Sequence, residues 1–338
     1  MKQFFTILLA LTTAALNAQT LQIARVSSNG TTTTLYTNLK TAMSDAQDDD
    51  FIYMPAGTFN VDSVIIQKRV NIVGTGIYPD STLATGKTVI NGNLYLKTGM
   101  DGGSMQGVEL NDLNYNSAYG IINVSSSGNF TFSKCMITII TCNSLASGNI
   151  NIRECVVNKY IGNPNSTLKY NVNNSILADL YSCGYSTFNN CIFSNRNIQG
   201  SGSYAGGNNE FRNCIFKISN VTLYSGTNDR YFNCHFENVA TNGYYNNPIQ
   251  LNTTYDATNN STFVGGACPA AFSYTFDYHV KSSSTAAASG TDGTDKGIYG
   301  TLYPYNPNPY NPHIYFKSVA PTTNAQGQLQ INIKVKAQ

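Results

Sequence analysis

A short phrase centred on cysteine recurs along the middle of this chain at a spacing that few folds accommodate. It takes the form NNCIF at 189–193, RNCIF at 212–216 and FNCHF at 232–236. Aligning such phrases gives a cysteine column with seven members: Cys135, Cys155, Ser175, Cys191, Cys214, Cys234 and Ser261. Successive members are 20, 20, 16, 23, 20 and 27 residues apart. A period of about 20 residues is typical of solenoids, in which each repeat forms one coil.

Apolar residues accompany the column at two fixed offsets. The residues two positions later are Ile137, Val157, Leu177, Phe193, Phe216, Phe236 and Phe263. The residues three positions earlier are Phe132, Ile152, Val172, Phe188, Phe211, Tyr231 and Thr258. Residues two apart in a strand share one face of it. We therefore predict that the column and the residues two positions later point into the solenoid, and that the earlier apolar residues do so from a neighbouring strand.

Asparagine dominates the position just before the column. The residues there are Lys134, Glu154, Asn174, Asn190, Asn213, Asn233 and Asn260. Asparagine tolerates a left-handed backbone, and its amide can both donate and accept hydrogen bonds. The pattern predicts a tight turn between two strands, with an asparagine ladder running from coil to coil.

Charged residues provide a separate test of this register. Four pairs of opposite charge are each 20 residues apart: Lys134 with Glu154, Lys159 with Asp179, Glu210 with Arg230, and Lys217 with Glu237. Side chains on adjacent strands are about 4.8 Å apart. We predict that each pair lies side by side on neighbouring coils, as exposed pairs that contribute little to stability.

The region before the repeats has a different pattern. Residues 37–46 place apolar side chains at helical spacing, which predicts a short amphipathic helix capped by Thr37 or Asn38. The acidic run 48–50 then indicates a solvated turn. Apolar residues at strand spacing follow it: Ile52, Met54, Val64, Ile66, Val70 and Ile72.

This helix, the acidic turn and the phrases FIYMPAGTFNV and VIIQKRVNIVGTG resemble the entry of secreted right-handed parallel β-helix proteins of the pectate-lyase-like architecture. The phrase TDKGIYG at 294–300 is similar to the ending that closes many of them. The resemblance implies an all-β fold. It implies a right-handed parallel β-helix, or solenoid, with a short N-terminal capping helix and a C-terminal capping strand segment.

These patterns divide the chain into four parts. Residues 1–18 combine Lys2, an apolar run at 4–16 and small residues up to Ala18, which predicts a signal peptide and a secreted or cell-surface protein. Residues 19–63 form the cap and first strands, 64–265 the coils, and 266–338 a closing segment. Its last strand, around Ile331 and Ile333, is expected to cover the final coil. No later run has the length of a membrane helix, so no span is expected in the mature chain.

Composition argues against several classes of partner and cofactor. A net charge of +2 with 11% charged residues gives no basis for binding nucleic acid. The column cysteines are interpreted as unpaired, buried thiols, because free cysteine behaves as a small hydrophobe. The disulfide state of Cys142, Cys183 and Cys268 stays open. The three histidines share no ligand spacing with cysteine, so no metal and no cofactor is predicted.

Function is less constrained, since this architecture hosts lyases, hydrolases and adhesins. Hydrolysis requires paired carboxylates, and lyases require acidic calcium sites with a base. The repeats contain few carboxylates, and four of them have an opposite charge 20 residues away. We predict a non-catalytic protein that binds glycans or acts in adhesion. A polysaccharide lyase or glycoside hydrolase and a purely structural surface protein remain alternatives. Candidate binding residues are Tyr244 and Tyr245, which could stack on sugars, and Arg212.

Overall fold

The computed structural model shows a parallel β-solenoid built mainly from two long sheets. It describes residues 21–79, 85–111, 122–125, 127–162, 167–181, 183–194, 198–199, 207–217, 223–224, 228–237, 244–245, 249–256, 261–310 and 312–336. The predicted signal peptide at 1–18 lies outside these residues. Within them, no helix is long and apolar enough to cross a bilayer.

The first sheet has twelve described strands. In hydrogen-bonded order they are β2 Thr33–Tyr36, β1 Ile23–Val26, β3 Phe51–Tyr53, β5 Asn71–Val73, β7 Gly103–Gln106, β10 Ser127–Ser133, β12 Ser147–Arg153, β14 Lys169–Asn173, β16 Thr187–Asn189, β19 Glu210–Arg212, β22 Arg230–Phe232 and β25 Ile249–Leu251. β1 is antiparallel to both of its neighbours, whereas β3 and β5 pair in parallel, as do the strands after them. One such strand therefore comes from each successive coil.

The second sheet supplies the other wall of each coil. Its main path is β26 Thr254–Asp256, β23 His235–Glu237, β20 Ile215–Lys217, β17 Ile192–Phe193, β15 Ile176–Tyr181, β13 Val156–Gly162, β11 Met136–Cys142, β8 Val108–Asn111, β6 Thr88–Leu96 and β4 Gly57–Ile66. β9 Ile122–Val124 pairs with β6 and β11, and β18 Ile198–Gln199 pairs with β15. β21 Leu223–Tyr224 and β24 Tyr244–Tyr245 form a separate parallel pair. The parallel solenoid predicted from the repeat is confirmed.

A single left-handed residue connects the two sheets in each of the later coils. Its φ is between 46° and 55° at Lys134, Glu154, Asn174, Asn190, Asn213, Asn233 and Asn252. Asparagine is favoured here because it adopts this conformation at lower cost than most residues. The tight turn expected from the sequence is therefore present.

The last member of the column was assigned wrongly. His235 pairs with Thr254, so the counterpart of Cys234 is Thr253, and its turn residue is Asn252. The predicted member Ser261 therefore does not continue the column, the predicted turn residue Asn260 lies outside the described residues, and Phe263 is buried in a different cluster. The final step is therefore 19 residues (253 − 234) rather than 27, because strand pairing, and not the recurring Asn-Ser sequence, determines the last member.

The cysteine column lies inside, and all eight cysteines of the chain are buried free thiols. This confirms the structural interpretation and excludes a bond among Cys142, Cys183 and Cys268. Cys214 Sγ donates to Arg212 O at 3.3 Å, and Ser175 Oγ donates to Asn173 O at 2.8 Å. Each satisfies the carbonyl two residues earlier, beside the left-handed turn. Cysteine and serine can occupy the same position of the column because both are small and both can donate a hydrogen bond.

The aromatic residues at the two predicted inward offsets stack along the solenoid axis. Phe188, Phe211 and Tyr231 have successive ring centroids 5.0 and 4.7 Å apart. Phe193, Phe216 and Phe236 form a second stack with separations of 4.6 and 5.0 Å. Because both stacks are buried and touch each other, the two sheets share one core.

The positions of the charged residues confirm most of the predicted register, but two of these residues are buried rather than exposed. Strand pairing aligns Glu210 with Arg230 and Lys217 with Glu237, and Lys134 Nζ is 3.2 Å from Glu154 Oε1. In the fourth pair a bulge aligns Tyr160 rather than Lys159 with Asp179, and the side chain of Lys159 lies outside the described structure. Lys134 and Glu237 are also buried, with 2% and 3% of their surface exposed. Because these two side chains are buried, each charge requires an opposite charge or hydrogen bonds to offset the cost of its desolvation.

The capping elements predicted for the two ends of the solenoid have different outcomes. Helix α1, Leu39–Asp45, packs at the N-terminal end with Asn38 as its cap, as predicted. The acidic turn is not fully solvated, because Asp50 is buried and accepts from Arg25 Nε at 2.7 Å. At the C-terminal end, β28 Ile331–Lys336 is a strand, as expected. It pairs antiparallel with β27 His313–Val319 in a separate hairpin rather than adding to the last coil.

A long covering segment, residues 261–310, packs against the outside of the second sheet. There it buries an outer apolar row, one residue after the cysteine column: Met136, Val156, Ile176, Ile192 and Ile215. Phe272 and Tyr274 cover the first two members, and Phe263, Tyr278 and Ile298 pack in the cluster around the others. This row was not predicted from the sequence, although five outward apolar residues in register indicate that another segment must cover them.

Candidate functional site

A groove of about 680 Å³ lies where the end of the covering segment crosses the turns between the sheets. We call it the tyrosine groove. Its lining residues are Arg153, Glu154, Asn173, Asn174, Leu302, Tyr303, Pro304, Tyr305, Asn306 and Tyr310. One wall therefore comes from two adjacent coils, and the other comes from residues 302–310.

The floor of the groove is an ion pair that joins its two walls. Glu154 accepts from Lys134 Nζ at 3.2 Å, from Asn306 N at 2.7 Å, and from the Tyr310 hydroxyl. Lys134 Nζ also donates to Asn306 O at 2.5 Å and lies 4.2 Å from the centroid of the Tyr310 ring. Burial lowers the pKa of Lys134 and raises that of Tyr310. These contacts hold the wall in place and occupy the carboxylate with donors from the protein itself.

The wall formed by the covering segment presents aromatic and apolar surface. Leu302 and Tyr303 are each 85% exposed, and Tyr310 is 45% exposed. Asn174 Nδ2 donates to Ile298 O and Tyr303 O at 3.2 and 3.0 Å, which fixes the backbone below the Tyr303 ring. Exposed rings on a braced backbone form a surface that can receive a flat ligand without first becoming ordered.

Tyr305 anchors this wall to the body of the protein. Its side chain is buried, and its hydroxyl donates to the Tyr78 hydroxyl at 2.9 Å. Burial raises the pKa of both tyrosines well above the ordinary value, so both remain neutral. The anchor is therefore an uncharged hydrogen bond in an aromatic cluster.

The other rim of the groove is polar and continues onto the outer face of the first sheet. Arg153 and Asn173 are neighbours on β12 and β14, and Asn189 Nδ2 donates to Asn173 Oδ1 at 3.1 Å. Further links of 2.7 to 3.4 Å run between adjacent strands: Ser104 with Asn71, Asn151 with Thr131, Asn171 with Asn151, Thr187 with Asn171, and Asn149 with Asn129. The groove thus opens onto a regular surface of amides and hydroxyls.

The asparagine ladder predicted at the turns is only partly formed. Asn233 Nδ2 donates to Asn213 Oδ1 at 2.9 Å, as a coil-to-coil ladder requires. The turn amides also donate to the covering segment, from Asn213 to Thr291 Oγ1 and from Asn233 to Ser289 O. The turn asparagines therefore help to fasten that segment, and the longer ladders lie on the outer face of the first sheet.

The candidate residues from the sequence do not line the tyrosine groove. Arg212 lies on β19, three strands from Arg153, where its Nε contacts Glu210 Oε1 at 2.5 Å and its guanidinium carbon is 4.8 Å from the Phe232 ring centroid. Tyr244 and Tyr245 form strand β24, and their side chains lie outside the described structure. The phrase YPYNPNPY at 303–310 supplies the aromatic wall, and it was not among the candidates from the sequence.

A second polar cluster, the latch, fastens the covering segment to the last coil. Asp256 accepts from Ser284 Oγ at 2.7 Å and from Thr285 N and Oγ1, and its Oδ2 is 3.4 Å from His235 Nε2. Burial alone would raise the pKa of Asp256, but the Ser284 and Thr285 hydrogen bonds lower it. Burial lowers the pKa of His235 to about 4 and that of Lys296 to about 8. Ser284 bonds to the aspartate and not to the histidine, so this enclosed cluster is a structural network.

The described residues of the tyrosine groove offer few groups for catalysis. Glu154 is the one carboxylate among them, whereas glycoside hydrolysis uses two, at about 5–9.5 Å. Across the part of the chain that the structure describes, no cluster of three or more His, Cys, Asp or Glu side chains could hold a metal ion.

Comparisons with known proteins leave the family open. No protein-family model matches this sequence, and a comparison with curated proteins gave no match.

Proposed function

We propose that this protein binds glycans in the tyrosine groove without altering them, and that it acts in adhesion or attachment outside the cytoplasm. The observation that carries the proposal is the pairing of two exposed rings, Tyr303 and Tyr310, with the polar side chains of Arg153 and Asn173 across one groove. Sugars have apolar C–H faces and hydroxyl edges. Aromatic rings receive the faces, and amides and guanidinium groups bind the edges.

The dimensions and rigidity of the groove support this proposal. Its volume falls within the range of about 300–1,000 Å³ that is usual for small-ligand sites. Glu154 and Asn174 bind the backbone of the opposite wall at Asn306 and Tyr303. A wall that is already ordered avoids much of the entropic cost of binding.

The proposal also includes the finer architecture and the location. We propose a right-handed parallel β-helix of the pectate-lyase-like architecture, secreted or displayed at the cell surface. Its support is the pair of parallel sheets entered through a capping helix, together with the signal-like pattern at 1–18.

Titration of the protein against a panel of neutral and acidic oligosaccharides tests this function. Calorimetry should detect binding that falls at least tenfold in Tyr303→Ala, because a stacking surface is lost while the fold stays intact. Tyr53→Ala, which truncates an exposed tyrosine elsewhere on the first sheet, should bind like the wild type. If no glycan in the panel binds, or if both variants weaken binding equally, the groove is not a glycan site.

The same mixtures distinguish binding from catalysis. We expect neither new reducing ends nor unsaturated products after prolonged incubation. Accumulation of either product, abolished by Tyr310→Phe or Glu154→Gln, would instead establish the enzymatic alternative, a lyase or hydrolase.

A further inference from the structure

The C-terminal hairpin, β27 and β28, is the most exposed folded element among the described residues. All described side chains from 315 to 336 are exposed except that of Ala320, which is half-buried. A two-stranded hairpin is marginally stable on its own in water. An element of this kind gains order when one of its faces meets another surface.

One face of this hairpin is apolar. The register pairs Ile314 with Val335 and Val319 with Ile331, and Ile333 lies between them on the same side as Ile331 and Val335. Ile331, Ile333 and Val335 are 55%, 49% and 59% exposed. These five aliphatic side chains form a strip on one face, with Lys317 among them because it pairs with Ile333, and four of the five are exposed while Ile314 is half-buried.

The hairpin is also strongly basic. It carries Lys317 on the face of the strip and Lys334 and Lys336 on the opposite face, and no aspartate or glutamate occurs after Asp295. Lys334 Nζ lies 5.2 Å from the Phe316 ring centroid, which keeps this charge on the ribbon. A surface that binds the hairpin is therefore expected to be negatively charged.

Size and charge together argue against a second copy as that surface. A ribbon of six or seven residues per strand covers only about 20 by 10 Å. A stable protein interface needs about 800 Å² from each partner. Two copies would also bring six lysines together. An anionic polysaccharide would match the charge but would leave the aliphatic strip in water.

We propose that this hairpin adsorbs to anionic lipid bilayers, with its aliphatic strip at the boundary between headgroups and acyl chains. An anionic bilayer complements both the positive charge and the aliphatic strip, because it has negative headgroups above an apolar layer. Its area is also not limited, unlike that of a protein partner. One weak apolar anchor gives only marginal membrane binding, whereas an apolar anchor combined with a basic patch gives stable attachment. The attachment is peripheral and reversible, and it does not depend on the glycan site.

Vesicle co-sedimentation of the full chain tests the proposal. Binding to phosphatidylcholine vesicles containing about one-quarter phosphatidylglycerol is compared with binding to pure phosphatidylcholine. Each lysine near an anionic surface contributes roughly fivefold, so K317Q/K334Q/K336Q should weaken binding by roughly 100-fold. The variant K40Q/K97Q/K169Q removes the same charge from the solenoid and should bind like the wild type. All variants share residues 1–20, so differences between them report on the hairpin.

A second variant tests the apolar part of the proposal. I331S/I333S keeps every charge and should lose at least tenfold in binding to the anionic vesicles. Because these side chains are exposed, far-ultraviolet circular dichroism should show an unchanged solenoid. High salt should release the wild type from the vesicles.

Three outcomes would overturn the inference. The first is equal binding to charged and uncharged vesicles, and the second is equal loss in the hairpin and control lysine variants. The third is sedimentation of the lipid-free protein as an oligomer that I331S/I333S converts to monomer, since a second copy would then be the occupant of the strip.

Discussion

Lys134 Nζ and Glu154 Oε1 lie 3.2 Å apart on adjacent coils, both at left-handed turn positions, with the Lys134 side chain 2% exposed and that of Glu154 12% exposed. A buried lysine that loses its carboxylate keeps the cost of desolvation without its compensation. Glu154→Gln should therefore lower the free energy of unfolding by about 2–3 kcal/mol, as measured by urea denaturation.

The double variant Lys134→Met/Glu154→Gln should recover part of that loss, because it removes the unpaired charge. As a control, Arg230→Gln disrupts a distant exposed pair with Glu210, 4.0 Å away, and should cost less than about 1 kcal/mol. Equal costs for Glu154→Gln and Arg230→Gln would contradict the burial of the first pair.

The cysteine column predicts a graded response at Cys214. Cys214→Ser keeps a small donor to Arg212 O and should be mild, since Ser175 already occupies the same column. Cys214→Leu should cost about 1–3 kcal/mol or more, because coils only about 4.8 Å apart leave no space for a larger side chain. Burial raises the pKa of the Cys214 thiol. A thiol reagent should therefore label it only after denaturation, and rapid labelling of the native protein would show that the column is accessible.

The latch makes stability depend on pH through His235. Its pKa is lowered by burial to about 4 in the folded protein, from 6.5 for an unperturbed histidine. Between these values the unfolded chain binds a proton that the folded chain does not, so stability falls as the pH drops from 6.5 to 4. The histidine contributes at most about 3 kcal/mol to this loss.

Denaturation curves measured across that window can isolate the effect. His235→Asn should have a flatter profile than the wild type between pH 6.5 and 4. Parallel profiles for wild type and His235→Asn would mean that His235 titrates normally and that the latch is open to water.

The outer apolar row predicts that an outward-facing residue behaves like a core residue. Ile215 is fully buried beneath the covering segment, so Ile215→Ala should cost about 2–4 kcal/mol and expose residues 261–310 to limited proteolysis. Asn171, which faces outward from the first sheet, should tolerate alanine with a loss of about 1 kcal/mol or less. Equal, small losses at the two positions would show that the segment does not cover the row.

The repeat alone was sufficient to predict the coil, the left-handed turn before each column member and the inward faces. These features are local. Whether Phe211 and Cys214 point inward depends on the strand period and on the turn at Asn213 between them, and all three are within a few residues of one another. Ser261 was wrongly assigned to the cysteine column because the assignment rested on local sequence similarity. Strand pairing instead places Thr253 at that position.

Only the tertiary structure decided where the charges are buried and where a site forms. The tyrosine groove exists because Asn306 and Tyr310 meet Lys134 and Glu154, which precede them by 152 to 176 residues (306 − 154 and 310 − 134). The covering segment has no repeat, so no spacing in the sequence relates its residues to particular coils. Its position is set by the outer apolar row and the turn asparagines, which become a single surface only when the coils are stacked.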